Sequence, residues 1–232
     1  MQFFDGFTLK LIMVVLMVFD HVAQFIPNTP YWFHWLGRLV APIFFYLLVE
    51  GYEHTRNRNA YMMRLFKWGG IMFIGNILVS YAFKRNYFVT NNIFLSMAMG
   101  IALLIAIDGL SNKEGRNKVK NIFLIFIICL VSLFTEGSFI GTAMVLIFFY
   151  FKKDKIKMSI AYILLSSIFL TGGFTYDNLF VLNPQWMMVF SLPFMLMYNG
   201  KRGFNLKYFF YIFYPLHIWI LYIMGYFIEL RY

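Results

Sequence analysis

The sequence predicts an all-α, polytopic integral membrane protein, with about nine transmembrane helices in one bundle and a single domain over residues 1–232. Three observations carry that prediction. Apolar runs long enough to cross a bilayer recur from one end of the chain to the other. Only 13% of residues are charged, about half the share of a soluble domain, and mean hydropathy is +0.69. Lys and Arg cluster in every second connection between the runs, which is the asymmetry that orients membrane helices.

The first run, 9–26, reads LKLIMVVLMVFDHVAQFI. It is too long for a signal-peptide core, and no small-residue cleavage site follows before Pro27. The second, 36–53, contains Arg38 and Pro42 and ends near Glu50, Glu53 and His54; a proline there frees a carbonyl and kinks a helix. Segment 54–67, HTRNRNAYMMRLFK, is too polar to cross. Its apolar side and basic side predict an interfacial helix over about 55–67 on the cytoplasmic leaflet. Further runs fall at 68–83, 93–110, 121–135, 138–151, 158–171, 185–198 and 208–227.

The basic connections hold Arg56, Arg58, Arg64 and Lys67; Lys113, Arg116, Lys118 and Lys120; Lys152, Lys153, Lys155 and Lys157; and Lys201, Arg202 and Lys207. The alternate connections hold only Lys84 and Arg85. The N-terminus is therefore expected in the cytoplasm, the C-terminus outside, and the protein as a multi-pass protein of the plasma membrane.

Several function classes drop out. A formal charge of +10 suggests nucleic acid, but its placement in short inter-helix connections argues for topology instead. The single cysteine, Cys129, excludes an intrachain disulfide and sits in an apolar run, so it reads as core. No metal-ligand spacing, Walker-type glycine loop or Gly-x-Ser-x-Gly elbow occurs, so neither metal nor nucleic acid is expected.

The polar residues inside the runs carry the remaining information, because ionisable groups at that depth are costly and are by default functional. Lys10 and His21 are eleven residues apart, about three helical turns plus 20°. Both side chains then lie on one stripe, separated by about 16 Å along the axis. A cation near the membrane surface and an imidazole deep inside suit the two ends of a long carrier arm. Asp20 adjoins His21 but points about 100° away, so it serves a neighbouring helix or a substrate. Further along stand Arg38, Glu136 in TEGSFIG, and Pro215 with His217 in FYPLH. Each has a plain structural alternative: a cross-helix hydrogen bond for His21, an Asp20–Arg38 ion pair, an ordinary loop position for Glu136, a cap by His217 of carbonyls freed by Pro215, and positive-inside signalling by the loop cations.

The stretches VLMVFDHVAQFI, GRLVAPIFFYLLVEGYEHTRNRNAYMMRLF, NNIFLSMAMGIALL and LPFMLMYNGKRGFNLKYFFYIFYPLHIWIL resemble the TraX family, named for a membrane protein that N-acetylates pilin. The likeness covers most of the chain. Lys10 and His21 also resemble the basic-x10-His signature of the wider transmembrane acyltransferase superfamily, where the basic residue is usually arginine. The resemblance implies an acetyltransferase that takes acetyl-CoA from the cytoplasm as co-substrate. It implies His21 as the catalytic histidine, with Asp20 beside it, and Lys10 as a contact to the CoA. Arg56, Arg58, Arg64, Glu50 and His54 lie on the expected CoA side. Arg38, Glu136 and His217 are candidates for the acceptor, a peptide amine or a hydroxyl of a small molecule or glycan. Base catalysis and an acetyl-imidazole intermediate both remain open. The contrasting readings are a small-solute transporter and a non-enzymatic assembly factor.

Overall fold

The computed structural model describes residues 3–110, 118–171 and 173–231. These form an all-helical bundle; among the described residues the only extended pairing is an isolated bridge between Phe4 and Tyr198.

Helix α1, Gly6–Phe25, starts where the Asp5 carboxylate accepts the Thr8 N–H at 2.7 Å. That N-cap satisfies one of the donors a helix start leaves open, and its bonds to Thr8 hold the Asp5 carboxyl below the usual carboxylate range. The helix buries Leu9, Met13, Met17, His21 and Phe25, one residue per turn along a single face. Helix α2, Phe33–Gly37, and helix α3, Val40–His54, follow nearly in line. The break between them, at Arg38–Leu39, has a covalent cause. Pro42 lacks the N–H that would bond the Arg38 carbonyl.

Helix α4, Arg58–Phe83, corrects one expectation. There is no separate interfacial helix at 55–67; its residues run without interruption into the third span. Asn57 caps the start, its side chain accepting the Ala60 N–H at 2.8 Å. The Gly69–Gly70 pair does not stop the helix, because Leu95 of the next helix packs where a Gly69 side chain would be. Helix α5 is Ile93–Leu110, α6 Lys118–Ser132, α7 Ser138–Phe151 and α8 Lys155–Ser167. After α8 the chain passes through short 3-10 and π turns to α9, Leu192–Leu196, and closes with α10, Lys207–Glu229.

Among the described residues, five helical stretches are long and apolar enough to cross a bilayer: Gly6–Phe25, Phe33–His54, Arg58–Phe83, Ile93–Leu110 and Tyr208–Glu229. The expected spans 121–135, 138–151 and 158–171 fall on shorter helices. The one at 185–198 falls on a 3-10 turn and the five-residue α9, each opening at a proline, Pro184 and Pro193. Outward faces are apolar, with Ile74, Leu78, Phe123 and Phe126 exposed, as a lipid-facing surface requires. Lys113 and Arg116 lie outside the described residues.

Lys152, read from the sequence as a topology signal, is nearly buried and pairs with Glu50 at 2.6 Å and with Glu53. The loop after α7 therefore also ties α7 to α3.

Candidate functional site

The site lies where α1 meets α10. His21 and His217 are both buried, and His21 Nδ1 stands 2.7 Å from His217 Nε2. The proton positions follow from the partners. His217 Nδ1 lies 2.8 Å from the Phe213 carbonyl oxygen; a carbonyl only accepts, so that nitrogen carries the hydrogen. With both rings neutral, His217 Nε2 is then the acceptor and His21 Nδ1–H the donor. The remaining nitrogen of His21, Nε2, is left with its lone pair. No hydrogen bond from the described residues engages it.

Local sequence produces this geometry. His217 is four residues after Phe213, so its ring reaches back one turn to the Phe213 carbonyl and stacks on the Phe213 ring, centroids 4.9 Å apart. Tyr214, three residues before His217, shares that face and packs its ring against both histidines. The carbonyl that His217 binds belongs to Phe213, whereas Pro215 frees that of Tyr211. His217 is thus an orienter of His21 rather than a cap for the proline.

A cavity of about 170 Å³ opens beside His21. Its α1 wall is Lys10, Val14, Met17 and His21, the stripe expected from the eleven-residue register, with Asp20 at the edge of that stripe. Apolar residues of α3 and α5 line its middle, and Glu136 and Tyr214 close the far end with His21. Glu136 Oε2 accepts from the Asn92 N–H at 2.5 Å and from the Tyr214 hydroxyl at 3.1 Å. Lys10, Leu47, Tyr61, Phe210 and Tyr211 also line a second, larger space of about 590 Å³, so the two adjoin across a shared wall, as a vestibule beside an inner chamber. Glu50, His54, Arg64 and Arg202 line the vestibule. Tyr198 lines it too.

Asp20 turns from His21 toward α2, as helix geometry requires. It accepts from His34 Nδ1 at 2.8 Å and lies 3.5 Å from Arg38 Nη2. Arg38 also donates to Gln185 at 3.0 Å. Gly37 makes this approach possible, since a β-carbon there would sit 2.1 Å from the Asp20 carboxyl.

The structure therefore brings His21, Asp20, Lys10 and Glu136 to one chamber, and Lys10, Arg64, Glu50 and His54 to its vestibule. His217 stands behind His21. Arg38 reaches the chamber only through Asp20. Arg56 and Arg58 are elsewhere: they line a cleft with Tyr52 and Asp108, and Arg58 pairs with Asp108 at 2.5 Å.

Three site residues escaped the sequence reading. His34 is four residues before Arg38, a helical-turn spacing that places two polar groups together. Tyr214 is three before His217, also on one face. Arg202 was legible only as a loop charge.

Fold and site together define a polytopic helical membrane protein whose first and last long helices clasp a histidine pair at the end of an internal chamber. Comparison with known proteins places it further. The TraX protein family model matches residues 5–225, and the chain belongs to the TraX family. It is 28% identical over 238 aligned positions to the "Probable fimbrial assembly protein FimC, serogroup H1" of Dichelobacter nodosus, covering 94% of each chain. No solved structure matches it.

Proposed function

We propose that this protein is an integral membrane acetyltransferase. It takes acetyl from acetyl-CoA entering on the cytoplasmic, Lys/Arg-rich side. The acceptor is an amine, first of all a peptide N-terminus, at or across the plasma membrane. The observation that carries the reading is the His21 Nε2 lone pair, oriented by His217 beside a chamber that adjoins a cation-lined vestibule.

The chemistry balances as follows. The acceptor amine attacks the thioester carbonyl carbon, and His21 Nε2 takes the proton that the forming C–N bond releases. The C–S bond breaks, and the departing thiolate receives that proton from His21. The products are an amide and free CoA thiol. Protonation of His21 turns its Nδ1–H···Nε2 bond to His217 into a charge-assisted one, which is stronger. His217 therefore favours the protonated, transition-state side of the step. The name of the Dichelobacter relative, a fimbrial assembly protein, supports an exported peptide over a glycan hydroxyl as acceptor.

The purified protein, in lipid, is expected to release CoA thiol from acetyl-CoA only when an acceptor peptide with a free N-terminus is present. Mass spectrometry should find one acetyl group on the peptide per thiol released. Solute uptake into vesicles without thiol release would assign a transporter instead.

The same reading holds nine crossings, with the four shorter helical pieces completing the bundle and the N-terminus in the cytoplasm. A periplasm-active reporter fused after Tyr232 is expected to be active, and one fused in the loop carrying Lys152–Lys157 inactive. The reverse pattern would contradict the orientation.

A further inference from the structure

Two carboxylates stand in the wall of the inner chamber, and they differ in what holds them. Asp20 accepts from His34 at 2.8 Å, lies 3.5 Å from Arg38 and packs against Gly37. Its charge is met from the α2 side. Glu136 comes from the connection between α6 and α7, outside both helices. Its Oε2 accepts from the Asn92 N–H at 2.5 Å and from the Tyr214 hydroxyl at 3.1 Å. The Ile93 N–H donates to the Tyr214 oxygen at 3.4 Å, which leaves the hydroxyl hydrogen for Glu136. Among the described residues Oε1 has no hydrogen-bond partner, and no cation lies within ion-pair distance of the carboxylate.

The cations around the chamber do not pair with Glu136. Lys10 stands at the vestibule end, over the Phe210 ring at 5.7 Å. Arg38 acts on Glu136 only at a distance and is held by Asp20 and by Gln185 at 3.0 Å. Desolvation by the surrounding protein raises the Glu136 carboxyl to about 7. The side chain is nevertheless exposed, because the space it lines is open. Tyr214 ties it to the histidine pair: the ring packs against His21, centroids 6.2 Å apart, and the hydroxyl holds Glu136. The α6–α7 connection carries no Lys or Arg, the mark of the outer side, so Glu136 closes the chamber opposite the vestibule.

Acyl transfer to an amine leaves one proton unplaced. A peptide α-amine has a pKa of about 8 and is mostly an ammonium at neutral pH, whereas only the neutral amine attacks. His21 accounts for the proton lost as the C–N bond forms, not for the one lost before it. We propose that Glu136 receives the acceptor's ammonium at the outer end of the chamber and takes this first proton. One N–H bond breaks and its electron pair stays on nitrogen, as the lone pair that attacks. The proton forms the O–H of the Glu136 carboxylic acid, which then releases it to water. Overall, acetyl-CoA and an ammonium give an amide, CoA thiol and one proton. A carboxyl near 7 and an amine near 8 exchange that proton in near balance. A chamber of about 170 Å³ is smaller than the usual small-molecule site, about 300–1,000 Å³, so the acceptor enters end first, its ammonium leading. The acceptor class is thus an alkylammonium at a chain end rather than a hydroxyl. This inference rests on the acyl-transfer reading for the reaction; the cation site rests on the unengaged Glu136 oxygen.

The test compares acceptors on the full-length protein in nanodiscs. Alanyl-alanine amide presents an ammonium; methoxyamine presents a nucleophilic amine that is uncharged at neutral pH. Glu136→Gln keeps an oxygen for the Asn92 N–H but loses the charge. It should lower thiol release with alanyl-alanine amide roughly a hundredfold or more and spare most of the release with methoxyamine. Tyr214→Phe keeps the ring and drops the donor to Oε2; it should give a smaller loss, roughly tenfold, with the same preference between acceptors. Equal losses on both acceptors would make Glu136 only a cap for the start of α5, and no loss on either would remove it from the reaction. Acetylation of N-acetylserine amide as fast as of alanyl-alanine amide would overturn the cationic acceptor. Calorimetry without acetyl-CoA separates this inference from the reading beneath it. Alanyl-alanine amide is expected to bind wild type roughly tenfold or more tightly than Glu136→Gln, the loss of one charge-assisted contact, and its N-acetylated form not to bind. That binding pattern without any thiol release would keep the cation site and remove acyl transfer. Thiol release with rate and binding unchanged in Glu136→Gln would do the reverse.

Discussion

His21→Ala is expected to lower thiol release by a factor between about 10² and 10⁴, the usual contribution of a positioned general base. On the proposed reading KM for acetyl-CoA should change little, because Lys10 and the cationic vestibule lie about 16 Å from His21 along α1. His217 provides the finer comparison. His217→Phe preserves the stacking on Phe213 but removes the acceptor for His21 Nδ1–H. It should lower turnover by roughly tenfold to a hundredfold, less than loss of His21 itself, since the base is still present but no longer held in one tautomer. A buried donor left unpaired costs about 1–3 kcal/mol, so a modest fall in stability accompanies it. Stopped assays at saturating acetyl-CoA measure the first effect and thermal unfolding the second. If His217→Phe turns over at the wild-type rate, His217 is only a packing residue. If His21→Ala does, the mechanism is wrong.

The largest loss of stability is expected from Arg85→Ala. The side chain of Arg85 is only 2% exposed, although its neighbours in sequence form a short connection. It donates to the Phe25 carbonyl at 2.9 Å, to the Tyr222 carbonyl at 3.1 Å and to Glu229 at 2.5 and 3.0 Å. The guanidinium also lies over the rings of Tyr87 and Tyr222. One residue thus joins the end of α1, the α4–α5 connection and the end of α10. Gly225 makes room for it, since a β-carbon there would lie 2.2 Å from Arg85 Nη1. Removing one partner of a buried hydrogen-bonded charge pair costs about 3–5 kcal/mol. Glu229 is itself partly exposed, so the lower end applies. For a chain of this size about 3 kcal/mol corresponds to a fall of roughly 6–12 °C in the unfolding midpoint. Arg85→Lys should recover only part of it, because an ammonium lacks the fork that reaches two carbonyls and a carboxylate together. A midpoint within about 2 °C of wild type for Arg85→Ala would show that this knot does not hold the helices.

The pairing of Arg85 illustrates a general division. From the sequence it is one of two cations in a charge-poor connection, and the ordinary expectation for such a residue is solvent. The chain around it has no pattern that signals burial, because its partners come from residues 25, 222 and 229. Lys152 was obscured in the same way: it is read as a topology signal until another helix places carboxylates against it, and His34, which the sequence reading passed over, is placed by Asp20 of α1. Arg56 and Arg58 erred in the opposite direction. They share a basic segment with Arg64, yet helix α4 turns Arg64 toward the vestibule and leaves Arg58 facing Asp108.

What the sequence alone determined is what depends on spacing along one chain. The membrane-crossing character of the long helices follows from runs of apolar residues, since backbone groups in lipid must bond within their own segment. The shared face of Lys10 and His21 follows from 3.6 residues per turn. The turning of Asp20 away from its neighbour follows from the same geometry. The tertiary structure decided which helices meet. It brought His217 within 2.7 Å of His21 across 196 residues, and it set Lys10, Arg64 and Arg202, from three separate parts of the chain, along one vestibule. Such contacts depend on how separate helices pack, and a helix's own periodicity states which face it buries but not what it buries that face against.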